Sequence, residues 1–265
     1  MNLLKLRIPT LFGLFILLAG LTSGVYLTLQ NQTISSRAAS ETSPKFVTIT
    51  NIEDRSATIS WQSDKATHSF VTFSGGLLEN QTALDDRDVN VPTARALHHV
   101  TLKGLTPETS YQFKIVSGKF TSEVRELTTA KSETGNGSKP IIGSVLSGSD
   151  PLVEGIVYLT IDGIVTQSTV IKNLGNFIIP LSNIRTLNLS STPSLALGSQ
   201  AKIQVISEDN KRASATFIIK DDILPIPLKI GQDLDLTDTL GATVGDKNKD
   251  GVINSFDLIQ KSADK

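Results

Sequence analysis

The chain has 265 residues, with 25 basic and 26 acidic side chains and a formal net charge of −1. Such a balance lacks the broad positive field that non-specific nucleic-acid binding requires, and sets that class aside. With no Cys and only three His, disulfides, thiolate metal sites, Cys nucleophiles and a lipidated N-terminal Cys are excluded, and little is left for a His-rich metal site or a triad. The 28 Ser and 28 Thr suit a β-rich, turn-rich surface protein better than a helical enzyme.

Residues 1–7 form a basic flank with Lys5 and Arg7, expected to stay in the cytoplasm. Residues 8–29 carry no charge. As a helix, that span is long enough to cross a hydrocarbon core of roughly 30 Å. An uncleaved signal anchor is the preferred reading, because Val25 to Leu29 prolongs the apolar run. A cleaved signal peptide with its apolar part at 11–21, and Ala19, Ser23 or Ala38 at the cut, is the alternative. Either way the expectation is a single-pass or secreted protein, with everything after residue 30 exported. Residues 30–44 read as a polar, flexible spacer.

From 45 to 130 the apolar period is two. Runs at 45–52, 57–61, 69–73, 99–105, 111–116 and 123–129 alternate apolar with polar residues and are separated by turn signals such as Ser74-Gly-Gly76. This predicts an antiparallel β-sandwich. Trp61, closing the second run, is expected to fill the centre of a two-sheet core. Leu105-Thr-Pro-Glu-Thr-Ser-Tyr111 reads as a tyrosine corner, in which the Tyr hydroxyl bonds back to upstream backbone. Adjacent His98 and His99 point to opposite faces of a strand and cannot converge on one ion. Together with His68, they read as ordinary strand-edge or surface histidines. Asp85-Asp-Arg-Asp88 reads as a solvated loop. Trp61 and the corner together resemble a fibronectin type III domain. The phrase ALHHVTLKGLTPETSYQFKI is similar to the fibronectin-type N-terminal domain of purple acid phosphatases. That resemblance implies a β-sandwich without catalytic activity, since the metal-binding catalytic domain of that family has no counterpart here.

Residues 131–139, rich in Gly and Ser, read as a linker. Runs at 141–146, 154–163, 165–171, 175–181, 201–207 and 213–220, with turns at 147–151 and 162–163, predict a second antiparallel sandwich over 140–230. Its order of Gly143-x-Val145, Val157-x-Leu159 and Gly175-x-Phe177 resembles the carboxypeptidase regulatory-like, or transthyretin-like, sandwich. An immunoglobulin-like fold of another family is the alternative. The fold class expected for the whole chain is mainly β: two consecutive antiparallel sandwiches between an N-terminal transmembrane helix and a C-terminal calcium loop and helix.

Residues 222–232 read as a Pro-interrupted extended linker, and 232–244 suit a helix that precedes a loop. Within the last segment, 231–265, Asp246, Asn248, Asp250, Val252, Asn254 and Asp257 fall at positions 1, 3, 5, 7, 9 and 12 of an EF-hand-type loop, with Gly251 at 6. Oxygens at these positions converge because the chain wraps the ion, and Gly at 6 permits the sharp turn. Val252 contributes its backbone carbonyl, and Asn254 acts through water. Oxygen-only ligands of variable reach select Ca²⁺. The loop followed by Ile253-Asn-Ser-Phe-Asp-Leu258 resembles one repeat of a type I dockerin. The resemblance implies a cohesin-like partner, polysaccharide breakdown and so a carbohydrate connection, with Ser255 and Phe256 at the partner-recognition places. No cofactor other than Ca²⁺ and no catalytic residue is expected.

Overall fold

The computed structural model describes residues 41–171, 173–195, 198–219, 224 and 226–237. The anchor and the calcium loop therefore lie outside the described residues. Mainly-β architecture holds throughout the rest: the elements are seventeen strands and one 3-10 turn at Asn173–Gly175.

The first sandwich comprises β1 (Lys45–Thr50), β2 (Ser56–Thr67), β3 (Ser69–Gly75), β4 (Leu78–Ala83), β5 (Arg95–Lys103), β6 (Ser110–Ser117), β7 (Phe120–Thr121) and β8 (Arg125–Thr128). One sheet runs β1-β2-β5. The other runs β4-β3-β6-β7, with β8 also on β6. Inward residues at every second position of β2, β5 and β6 bury the expected stripe: Ala57, Ile59, Trp61, Val100, Leu102, Tyr111, Phe113 and Ile115. Trp61 sits mid-strand rather than at a strand end, because β2 continues to Thr67. The tyrosine corner is present: the Thr106 backbone N–H donates to the Tyr111 hydroxyl at 2.8 Å.

The second sandwich comprises β9 (Ile141–Ser147), β10 (Asp150–Pro151), β11 (Gly155–Ile161), β12 (Gln167–Val170), β13 (Asn176–Ile179), β14 (Gln200–Ser207), β15 (Arg212–Ile218), β16 (Leu228–Lys229) and β17 (Asp233–Leu236). One sheet runs β12-β11-β14-β15-β17. In the other, β9 carries β10, β13 and β16. The two Gly motifs meet here. Phe177 pairs with Gly143, and a Cβ at Gly143 would stand 2.4 Å from the Phe177 ring. Gly175, at φ +73°, passes so close to the Val145 carbonyl that its own Cβ would stand 2.4 Å away. Only glycine satisfies both the left-handed backbone and that approach.

Two stretches differ from expectation. Residues 222–232 are not simply a linker, since Leu224 and Leu228 are buried in the second core and β16 pairs parallel with β9. Residues 233–236 are strand, not helix, with β17 parallel to β15. The sandwich thus continues through Leu236, and its apolar Leu residues decide the outcome by joining a core. The 131–139 segment connects β8 to β9 without a strand of its own, and it is tied down. Asn136 donates its backbone N–H to Ser182 O at 2.8 Å and its Nδ2 to Pro193 O at 2.6 Å.

Candidate functional site

Several buried polar residues, among them Thr50, Ser60, Asp85, Arg95, His99 and Ser168, lie at the seam between the sandwiches. Strand alternation explains how. In β2 and β5, Ala57, Ile59, Trp61 and His98 point into the first core, so Thr58, Ser60, Leu97 and His99 point out. The outward face meets the second sandwich. A small apolar cluster of Leu97, Ile156, Val170 and Ile206, with Tyr158 packed on it, lies at the centre. Tyr158 donates its hydroxyl proton to Ser60 Oγ at 2.9 Å.

Around that cluster run hydrogen bonds. His99 Nδ1 lies 2.7 Å from Asp86 Oδ2, and Nε2 lies 2.9 Å from Ser168 Oγ. Since the carboxylate only accepts, Nδ1–H donates to it and, in the neutral ring, the Ser168 hydroxyl donates to Nε2. Ser168 Oγ is also 2.5 Å from Thr50 Oγ1. This Ser–His–Asp order has the connectivity of a nucleophile, base and orienting acid. Its setting denies it that chemistry. Ser168 and His99 are each 4% exposed, and the Ser168 amide, which an oxyanion hole would need free, is donated to Asn51 Oδ1 at 2.8 Å. The array is a structural hydrogen-bond chain.

Asp85, Arg87, Asp88 and Arg95 form the adjoining charged group. The Arg87 Nε and Nη2 donate to the two Asp85 oxygens at 2.7 and 2.9 Å, and Arg95 Nη1 donates to Asp88 at 2.7 Å. Glu154 of the second sandwich faces both arginines, at 3.4 and 3.8 Å. Burial alone would raise the Asp85 carboxyl. The bidentate Arg87 and the amides of His99 and Arg87 outweigh it and hold that carboxyl below its ordinary value. At Asp88 burial also pushes up, and Arg95 with Thr93 prevails to lower it. Glu208 moves the other way: burial raises it against the help of the Ala96 amide. Glu53 is likewise raised by burial, against Ser56 and the facing Arg185 charge.

His98 occupies the inner face. Its ring stacks on Trp61 with centroids 4.9 Å apart, and both its nitrogens are buried without a hydrogen-bond partner. Desolvation drives its pKa down to about 4, against the pull of Asp85. The two histidines do face opposite ways, as strand alternation requires. They are not surface residues, however, at 0% and 4% exposure: one is sealed by the core and the other by the second sandwich. Asp85-Asp-Arg-Asp88 is not simply a solvated loop either, because the Asp85 and Asp86 carboxylates satisfy β5 amides that have no neighbouring strand.

The sequence-predicted site residues Asp246, Asn248, Asp250, Val252, Asn254, Ser255, Phe256 and Asp257 lie outside the described residues. Among the described residues no group of three or more His, Asp or Glu is placed to hold a metal, and no helix is long and apolar enough to cross a membrane. The residues that matter at the seam, Asn51, Ser168 and Glu208, escape sequence reasoning. The available signal is the charge-dense DDRD run beside a paired His on a strand that has to end a sheet.

Comparison with known proteins agrees with the first sandwich. Residues 44–129 match the family model for the purple acid phosphatase N-terminal domain. The first sandwich is fibronectin-like. The fibronectin-like match is to that N-terminal domain and not to the catalytic domain. No curated protein matches. Similar solved structures include a redesigned β-sandwich protein, 24% identical with a TM-score of 0.27, covering 34% of this chain and 96% of that one. Chicken CNTN1 FN1–FN3 domains are 12% identical, TM-score 0.27, over 73% of this chain and 66% of that one. A two-domain fibronectin type III segment of chicken tenascin is 12% identical, TM-score 0.25, over 67% of this chain and 99% of that one.

Proposed function

We propose that this is a non-catalytic, membrane-anchored cell-surface protein, whose two β-sandwiches present a calcium-dependent docking segment for adhesion or scaffolding. The observation that carries this reading is the filled loop pattern Asp246-x-Asn248-x-Asp250-Gly251, with Asn254 and Asp257 in register. Without an ion, the Asp246, Asp250 and Asp257 carboxylates repel one another, so calcium orders the segment. The fibronectin-like first sandwich supports a spacer role. By the dockerin resemblance the partner is a cohesin-like module touching Ser255 and Phe256, and the variant of this reading is an accessory part of a polysaccharide-degrading assembly.

The test is calcium titration calorimetry on the full chain in detergent micelles, beside Asp246→Ala. Binding heat is expected in the parent and lost in the variant, together with a calcium-dependent surface partner in a pulldown. Absence of heat up to millimolar calcium would sink the metal assignment. Robust turnover of chromogenic phosphate or glycoside substrates, abolished by one carboxylate change, would overturn the non-catalytic reading in favour of a surface hydrolase fragment.

A further inference from the structure

Tandem sandwiches joined by a short linker ordinarily move against each other, unless their interface is large and apolar. Here the apolar part is small, yet two open sheet edges are closed across the seam. β5 ends its sheet, as does β12, and an end strand presents unpaired N–H and C=O groups that invite foreign strands.

On β5 the outward amides are Leu97, His99 and Thr101. Thr101 donates to Asp86 Oδ1 at 3.2 Å and His99 to Asp85 Oδ2 at 2.9 Å. Leu97 donates to Glu208 Oε1 at 3.4 Å, and the neighbouring Ala96 amide donates to the same oxygen. The carbonyls are met too: Leu97 O accepts from Arg87 Nη2 at 2.5 Å, and His99 O from the Asp86 amide at 2.9 Å. Three carboxylates thus stand where a neighbouring strand would place carbonyls, and one of the three comes from the second sandwich.

β12 is closed from the first sandwich. Asn51 Oδ1 accepts from the Ser168 amide at 2.8 Å, while its Nδ2 donates to Ser168 O at 2.9 Å. Its own backbone N–H donates to Thr166 O at 3.0 Å. The Asn side-chain amide has the donor and acceptor of a peptide unit, so it imitates one residue of a pairing strand. Asn51 adopts φ +48°, a region that Asn tolerates better than most residues.

We propose that the two sandwiches are one cooperative folding unit, locked by reciprocal capping of their open edges: Asn51 closes β12, and Glu208 closes β5. The pinned 131–139 segment removes the usual hinge. Tyr158 of the second sandwich, donating to Ser60 Oγ of the first at 2.9 Å, adds a third tie. The inference is independent of calcium, because all its residues lie outside the 246–257 loop.

Trp61, the single tryptophan, reports the first sandwich by fluorescence. Hydrogen exchange of β14 and β15 peptides reports the second. In a urea titration of the full chain in detergent the two midpoints are expected to coincide. In the Asn51→Ala/Glu208→Ala double variant they are expected to separate by roughly half a molar of urea or more. Should that variant not fold, Asn51→Asp keeps the acceptor for the Ser168 amide and loses the donor, and is read in the same way. Separate midpoints in the parent protein, or coincident midpoints in a folded variant, would overturn the proposal.

Discussion

The two faces of the β1-β2-β5 sheet are made by the same three strands and are both buried, yet they are sealed by different physics. The inner face is Ala57, Ile59, Trp61, Val100 and Leu102, with His98 as its one ionisable group. The outer face is Thr50, Thr58, Ser60 and His99, all at most 4% exposed, around the single apolar Leu97. The first is closed by removing apolar area from water. The second is closed by satisfying polar groups one by one, so that each hydroxyl or ring nitrogen has a named partner. Polar alternation in a strand therefore marks the face away from its own core, and says nothing of whether water or another domain covers it.

Breaking the inner face has the largest expected effect. Trp61→Ala removes the largest fully buried side chain and is expected to cost about 3–5 kcal/mol, read as a lower urea midpoint by circular dichroism. Acid sharpens the contrast next. The folded His98 pKa lies at about 4 against an ordinary 6.5, so its neutral form is favoured by folding. Its stabilisation is complete above pH 6.5 and is lost as pH falls toward 4, by on the order of 3 kcal/mol. Glu208 and Glu53 are raised and act with the opposite sign, relieving strain as pH falls through their folded values. His98→Leu is expected to flatten the acid loss in pH-dependent thermal melts, while Glu208→Gln leaves it in place. An unchanged acid slope in His98→Leu would move the origin of acid sensitivity elsewhere. The outer face gives the smallest effect. Ser168→Ala deletes one hydroxyl of a shared chain and is expected to cost about 1 kcal/mol. The parent protein is expected to take no label from a fluorophosphonate probe, and labelling at Ser168 by mass spectrometry would contradict the structural role given to its hydrogen-bond chain.

Much of the fold is legible where burial is one-sided. All twelve expected runs overlap strands, from Lys45–Thr50 to Arg212–Ile218, and in the first six the period of two is the imprint of a half-buried pleat. β4 carries no such imprint: its residues 79–82 are exposed on both sides, so Leu78-Glu-Asn-Gln-Thr-Ala83 has no apolar alternation. β16 and β17 are two and four residues long and pair in parallel with β9 and β15. Their register depends on partners far back in the chain. The seam is illegible for the same reason, carried further. Nothing local to Asn51 says that Ser168, 117 positions away, is its partner. The tyrosine corner joins residues only five positions apart, and its spacing can be read directly.

The edge of β5 has a consequence for the order of assembly. Asp85, Asp86 and Arg87 reach that strand from 10–15 positions upstream, whereas Glu208 arrives 112 positions after Ala96. On a chain that emerges from its N-terminal side, the near carboxylates are in place as soon as the first sandwich forms. The Ala96 and Leu97 amides wait for the β14–β15 turn. During that interval the DDRD run shields the rest of an exposed strand, the Leu97 carbonyl included, and the hazard of pairing with a foreign chain is confined to the two amides it does not reach.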